Sequence, residues 1–204
     1  MHPRTPFLWS LVIFSLLLAA CGREKTADGE KAPAAARPQA ELGKAVPDFA
    51  LKDQDGKPVR LHDLRGKIVV LEWINLECPF VQRHYEEGTF KAVAEEYAPK
   101  GVAWLAVNST HWAKSASNRD WHARYALSYP ILDDSAGEVG RLIGAKTTPH
   151  MFVIDREGRL AYSGAVDDDA TGDLGDKRKS YIRQALDEVL AGNAPAIRQT
   201  PSYG

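Results

Sequence analysis

One segment restricts the possible folds of this chain more than any other. Residues 68–73 form a continuous apolar run that is interrupted only by Glu72, and Cys78-Pro79 follows five residues later. Such a run is typical of a central strand that is covered on both faces. Pro79 suits the first position of a helix, because the amide hydrogen that proline lacks is not needed there. The sequence therefore predicts a strand-to-helix junction with Cys78 at the helix N-terminus.

The segments on either side of this junction predict an α/β fold. Alternating residues around Asp55-Gly56 indicate an N-terminal β-hairpin. After Cys78, apolar residues recur at helical spacing to position 97, and Gly88 predicts a break in that helix. A second buried strand is expected over 101–107, helices over 118–126 and 135–143, a hairpin over 151–166 and a last helix over 180–191. This order predicts a mixed central sheet flanked by helices.

The N-terminus has the features of an export signal. Residues 7–18 are apolar except for two serines, which is too short for a membrane span and suits a signal peptide. The sequence Leu18-Ala19-Ala20-Cys21 resembles a bacterial lipobox, so we expect a signal peptide over 1–20 and a lipid on Cys21. The alternative is an ordinary signal peptide followed by an incidental cysteine.

We expect a lipoprotein of the cell envelope that faces the periplasm. An aspartate directly after the lipidated cysteine would indicate retention at the inner membrane. This sequence has Gly22 at that position, which favours the outer membrane. Residues 21–45 are predicted to be a flexible tether, because they contain almost no large apolar groups. The folded domain is then expected over 46–192, and residues 193–204 form a C-terminal tail.

The cysteine count directs attention to one thiol. The chain has two cysteines, and if Cys21 carries lipid, Cys78 has no internal partner for a disulfide. It is therefore either a packing residue or a reactive group. At a helix N-terminus, free amide groups and the helix dipole favour the thiolate, which is the form that attacks disulfides and peroxides. The net charge of −1 argues against a general nucleic-acid binder.

Two further features belong with Cys78. Burial of Glu72 within its strand would raise the pKa of the carboxyl, so that it could exchange a proton near neutral pH. The alternative is a glutamate at a strand end that reaches solvent. Pro149, in the segment Thr147-Thr148-Pro149-His150 just before a strand, is expected to be cis. The alternative is an ordinary loop proline.

These motifs resemble a known group of proteins. Five segments resemble thioredoxin-like proteins of the bacterial envelope, including the redoxin and alkyl hydroperoxide reductase/thiol-specific antioxidant group. They are Pro47-Asp48-Phe49, Asp55-Gly56-Lys57, Leu64-Arg65-Gly66-Lys67, Cys78-Pro79-Phe80-Val81 and Thr148-Pro149. The similarity covers roughly residues 45–192. It implies a thioredoxin-like fold, with Cys78 as the attacking cysteine, Glu72 as the buried acid, and Pro149 as the proline beside the sulfur that helps to dock an extended substrate.

The sequence departs from this pattern at three places. Val81 stands where thioredoxins carry a second, resolving cysteine, and Asn75 stands where peroxiredoxins carry a threonine. Related redoxin-domain proteins end in a segment like Pro-Tyr-Gly-Cys, whereas this sequence ends at Tyr203-Gly204. Either the sequence is truncated or its lineage has lost the resolving thiol.

Other residues complete the predicted site. Candidates for the substrate groove are Trp73, Asn75, Thr148 and His150. We interpret His84 as a surface or packing histidine and the acidic residues 167–169 as a solvated loop, since they lack the spacing of a calcium-binding loop. No metal or cofactor is expected.

The sequence thus predicts an envelope thiol-based oxidoreductase. A single nucleophilic cysteine, Cys78, would act on protein or small-molecule disulfides, or on peroxides, with an external thiol to resolve the product. Disulfides are favoured, because the peroxidatic threonine is missing. The alternative is a lipoprotein without catalytic activity that binds a peptide or partner beside Pro149.

Overall fold

The computed structural model describes residues 39–204 except Lys114 and, for Asp176, the backbone alone. The predicted signal peptide over 1–20 and the lipidation site Cys21 lie outside the described residues. Within them, no helix is both long enough and apolar enough to cross a membrane.

Seven strands form one mixed sheet, as the sequence predicts. They are β1 (Ala50–Lys52), β2 (Pro58–Arg60), β3 (Ile68–Ile74), β4 (Val102–Asn108), β5 (Ile131–Asp133), β6 (His150–Ile154) and β7 (Leu160–Gly164), in the spatial order β2-β1-β5-β4-β3-β6-β7. The hairpin of β1 and β2 lies at one edge. β3 is central, because it pairs with β4 in parallel and with β6 antiparallel. All seven residues of β3 are buried.

Within the described residues, five α-helices flank the sheet: α1 (Pro79–Glu86), α2 (Thr89–Tyr97), α3 (Ser115–Arg124), α4 (Glu138–Ile143) and α5 (Tyr181–Leu190). The predicted break falls between α1 and α2, where Gly88 has φ 72°. This left-handed conformation is easily adopted by glycine and ends α1.

The sheet separates two hydrophobic cores. Side chains alternate across a strand, so Val70 and Ile74 of β3 face a core with α1, α2 and α5, whereas Leu71 and Trp73 face a core with α4. Glu72 therefore points to the side of α1 and Trp73 to the side of α4. The two side chains therefore lie on opposite faces of the sheet.

Packed structure extends beyond both predicted ends of the domain. Residues 39–45, assigned to the tether from sequence, hydrogen bond to the domain: Ala40 donates to Leu142 and Gly43 to Leu160, at 3.0 and 2.8 Å. Leu42 packs against the α4-side core. These residues are therefore held in place, because backbone pairing along β7 compensates for their weak apolar content.

The C-terminal tail, residues 193–204, also packs. It runs beside β7, where the amides of Ser163 and Thr200 donate to Arg198 and Ser163 respectively, at 3.0 and 3.2 Å. Gly164 permits this close approach, because a Cβ there would overlap Thr200. The tail is thus an extra edge segment of the sheet, which its sequence did not indicate.

Candidate thiol site

Cys78 lies at the predicted junction. It is the N-cap residue of α1, with φ −74° and ψ 122°, and Pro79 is the first helical residue. Its side chain is partly exposed and is a free thiol. The backbone amide of Cys78 donates to the Asn75 carbonyl at 3.0 Å, which closes the turn between β3 and α1.

The sulfur contacts the loop before β6. Cys78 Sγ donates to the Thr148 carbonyl oxygen at 2.9 Å, and the Thr148–Pro149 peptide bond is cis, as expected from the sequence. A carbonyl oxygen has no hydrogen to donate, so the thiol is the donor in this contact. The hydrogen bond holds the sulfur against the loop that carries the cis-proline.

Glu72 is fully buried, which excludes the alternative of a solvent-exposed carboxylate. Its Oε2 accepts a 2.6 Å hydrogen bond from Trp104 Nε1, while Oε1 has no partner among the described residues. Burial raises the pKa of Glu72 to about 8, against the smaller opposing effects of Trp104 and the nearby hydroxyls of Tyr85 and Tyr129. The carboxyl is thus neutral below that pH and can exchange a proton close to neutrality.

On the α4 side of the sheet, a cleft of about 420 Å³ opens beside the Thr148 loop, and Cys78 itself is not among its lining residues. Three of the predicted groove residues line it, namely Trp73, Asn75 and Thr148. Trp73 is fixed there by a 2.9 Å hydrogen bond from Nε1 to Ser109 Oγ. Asn75 shapes the turn, because its Oδ1 accepts the amide of Glu77 at 2.9 Å. This volume is in the range of small-molecule sites.

His150, the fourth predicted groove residue, lies elsewhere. Its Nδ1 accepts the amide of Lys146 at 3.3 Å, and Nε2 lies 3.1 Å from Ser163 Oγ. Nδ1 is therefore the acceptor nitrogen, and Nε2 carries the hydrogen and donates to Ser163. Burial lowers the pKa of His150 to about 4. His150 is a structural residue behind the loop and does not line the cleft.

The acidic stretch is only partly a solvated loop: Asp168 is exposed as expected, whereas its two neighbours are buried, which corrects the sequence-based interpretation for those two residues. Asp167 and Asp169 are both 2% exposed. Asp169 accepts the amides of residues 172–174. Asp167 Oδ1 accepts the Tyr203 hydroxyl at 2.5 Å. No group of residues suited to hold a metal occurs in the described part of the chain.

His84 is a packing histidine that binds the tail. It is fully buried, and its Nε2 lies 3.0 Å from the Tyr203 hydroxyl. Desolvation, with the charge of Arg83, lowers the pKa of His84 to about 4. Because Tyr203 donates to Asp167, its oxygen is available to accept a hydrogen from neutral His84. The Tyr203 ring also packs on Phe80 of α1, with centroids 5.9 Å apart.

The last residue of the tail, Gly204, lies at the thiol site. Gly204 lines the cleft, and a Cβ there would overlap the Thr148 carbonyl group. The tail therefore covers the face of α1 next to Cys78 and contacts the same carbonyl that accepts the thiol hydrogen. This contact is the main part of the site that sequence reasoning missed. The likeness of Tyr203-Gly204 to the Pro-Tyr-Gly-Cys ending of related proteins was the available signal.

Comparison with known proteins agrees with this geometry. The model of the AhpC/TSA family matches residues 42–163, more than half of the chain. The chain belongs to the AhpC/TSA family. The family region spans β1 to β7 and so includes the Cys78 junction and the Thr148–Pro149 loop.

Similar proteins support the same assignment. The thiol-disulfide oxidoreductase ResA of Geobacillus thermodenitrificans is 32% identical over 151 residues, 73% of this chain and 81% of that protein. A hypothetical protein of Sinorhizobium meliloti has a solved structure that is 30% identical with a TM-score of 0.71, covering 82% of this chain and 93% of that one. Peroxidoxin BcpB of Mycobacterium tuberculosis shares the fold at 23% identity and a TM-score of 0.53, over 75% and 96% of the two chains. The predicted thioredoxin-like redoxin fold is confirmed, and the family supports a thiol-based redox function.

Proposed function

We propose that this protein is a thiol-disulfide oxidoreductase of the cell envelope that acts through Cys78 alone. The observation that carries the proposal is a partly exposed thiol at the N-terminus of α1, 2.9 Å from the carbonyl before a cis-proline. The 32% identity to an enzyme named thiol-disulfide oxidoreductase favours disulfides over peroxides. Fully buried Val81 occupies the position of a second thiol, so the partner thiol comes from outside the domain.

The reaction follows from the chemistry of a single thiol. Cys78 loses its proton, and the thiolate attacks one sulfur of a substrate disulfide R–S–S–R. A bond forms between Cys78 and one RS group, while the other leaves as RS⁻ and takes up a proton. An external thiol R′SH then attacks the mixed disulfide, releases Cys78 as a thiol and leaves R–S–S–R′. The net result is thiol-disulfide exchange without change in the protein.

Glu72 is proposed to take up and return the proton. It lies on the α1 side of the sheet, the side against which Cys78 packs, and its pKa of about 8 lets it exist in both forms near neutral pH. Replacement by Gln should slow exchange at pH 7 and flatten its pH dependence. An unchanged pH profile would limit Glu72 to a structural role.

The proposal is tested by trapping the mixed disulfide. The reduced protein is mixed with bis(2-hydroxyethyl) disulfide, and the adduct is located by peptide mass mapping, which separates Cys78 from Cys21. We expect an adduct at Cys78 that an added thiol removes, and none at this position in Cys78→Ser. If Cys78 reacts no faster than it does in the urea-unfolded chain, the protein is a binding module. Hydrogen peroxide in place of the disulfide tests for a sulfenic acid.

The envelope location rests on the N-terminal sequence. The apolar run over 7–18 and the lipobox-like Leu18-Ala19-Ala20-Cys21 support export and lipid attachment. Metabolic labelling with a fatty acid should mark the wild-type protein and leave Cys21→Ser unlabelled. Labelling of both proteins would contradict lipidation at Cys21.

A further inference from the structure

The cleft beside the Thr148 loop carries two cationic side chains that form no ion pair within the described residues. Arg141 of α4 and Lys146 of the following loop both line it, and its lining includes no aspartate or glutamate. Both side chains are exposed, and neither lies within 4.0 Å of a carboxylate in the described part of the chain. Arg141 uses one nitrogen for the Ala136 carbonyl at 3.1 Å, which leaves its other donors for a ligand.

The buried carboxylate of Asp134 forms no ion pair with either cation. Asp134 lies behind the cleft wall, where Oδ2 accepts from Ser109 Oγ at 2.6 Å and from the Gly140 amide at 2.8 Å. Its Oδ1 accepts the Val139 amide at 3.0 Å. These bonds hold Asp134 to the wall, so the two cations remain available to a negative group in the cleft.

The cleft also borders the loop that holds the sulfur. Thr148 belongs both to its wall and to the hydrogen bond with Cys78. On the side of α1, Tyr203 packs on Phe80, and Gly204 lies against the Thr148 carbonyl. An extended protein segment that pairs with Thr148 would have to displace these tail residues. A small molecule in the cleft would not.

From this arrangement we infer the substrate class of the proposed reaction: small disulfides that carry a carboxylate near the sulfur. The carboxylate binds between Arg141 and Lys146 while the disulfide reaches Cys78. The thiolate then forms a bond to one substrate sulfur, and the other half leaves as a carboxylate-bearing thiol once it has taken up a proton. This inference rests on the proposed function and adds the charge and size of the substrate.

Three disulfides of similar length and different charge provide the test. They are the dianionic 3,3′-dithiodipropionate, the neutral bis(2-hydroxyethyl) disulfide and the dicationic cystamine. The rate of adduct formation at Cys78 is measured with each and divided by its rate with the urea-unfolded chain, which removes intrinsic reactivity. We expect the anion to exceed the neutral compound by about three- to tenfold at low salt, the scale of modest electrostatic steering, and cystamine to be slowest.

A double variant, Arg141→Gln with Lys146→Gln, should remove the preference for the anionic over the neutral compound. The matched control is Arg156→Gln with Lys52→Gln, two exposed cations outside the cleft, which should keep the preference. Salt at about 1 M should also abolish it, because the screening length falls to about 3 Å.

The outcomes separate the two proposals. If the neutral disulfide reacts with Cys78 but the anion has no advantage, or if the advantage survives in the cleft double variant, the inferred substrate class is wrong and the oxidoreductase proposal stands. If no disulfide forms an adduct faster than with the unfolded chain, the proposed function itself fails.

Discussion

The buried carboxyl of Glu72 should make the protein less stable as pH rises, and Glu72→Gln should remove this contribution to the pH dependence. Its pKa is raised from 4.5 to about 8 because folding removes it from water. Between these two pH values the folded chain holds a proton that the unfolded chain has released. Stability therefore falls with increasing pH across the window, since the unfolded state binds fewer protons.

The size of the effect follows from the same two values. Each pH unit within the window is worth about 1.4 kcal/mol, so Glu72 should cost the wild-type protein about 3 kcal/mol between pH 4.5 and pH 7. Glutamine has the same shape and no charge. Its amide can donate to the Tyr85 and Tyr129 hydroxyl oxygens, which have no partner in the described residues. The variant should therefore gain about 3 kcal/mol relative to the wild type over this range.

Urea unfolding at pH 4.5, 5.5, 6.5, 7 and 8 measures the difference. Contributions of other titrating groups are common to both proteins and cancel, so the difference in unfolding free energy isolates Glu72. A change of this size corresponds to about 1 to 2 M urea in the midpoint. Glu86→Gln, at an exposed position of α1, is the matched control and should give a flat difference. Parallel wild-type and Glu72→Gln curves would refute the assignment of a neutral buried carboxyl.

Three further predictions concern the surroundings of the thiol. Val81→Cys should place a second thiol three residues after Cys78. This thiol should expel the substrate half that is bound to Cys78, so that mass spectrometry finds an internal disulfide between residues 78 and 81. The control Val81→Ala should keep the adduct, and a persistent adduct in Val81→Cys would show that position 81 cannot reach the sulfur. Tyr203→Phe removes the hydroxyl that donates to Asp167 and should lower the free energy of unfolding in urea by about 1 to 3 kcal/mol, because a buried carboxylate loses a hydrogen bond. The control Tyr181→Phe should have little effect. Equal stabilities of Tyr203→Phe and the wild type would show that the tail is not held by this bond. The pKa of His150 is lowered to about 4, so as pH falls below 6.5 the unfolded chain takes up a proton before the folded chain does. Relative to His150→Gln, the unfolding free energy of the wild type should therefore fall by about 3 kcal/mol between pH 6.5 and pH 4. A difference between the two proteins that does not change with pH would contradict a buried neutral histidine.

The sequence predicts the elements of this fold because each depends on local pattern. The apolar run of β3, Pro79 at the start of α1 and Gly88 at its end are all read from neighbouring residues, and the structure has them where expected. The cis bond before Pro149 was expected on the same basis and on the family resemblance. Local patterns therefore located the thiol and its neighbouring loop.

Contacts between distant segments were not predictable in this way. The Tyr203 hydroxyl meets His84 across 119 positions and Asp167 across 36, and no periodicity connects them. Asp167 looked solvated because it stands among other acidic residues, yet it is buried and accepts the hydroxyl of Tyr203 from the tail. His150 was placed near the sulfur because it follows Pro149, but its strand directs it to Ser163.

The course of the tail also governs how the protein should be handled. Because Gly204 lies against Thr148, whose carbonyl accepts the hydrogen bond of the Cys78 thiol, any affinity tag joined after Gly204 would begin beside that carbonyl. A histidine tag there would bring imidazole groups and bound nickel to the cleft mouth and change the rates under study. Kinetic work should therefore use a chain whose tag is placed before Gln39.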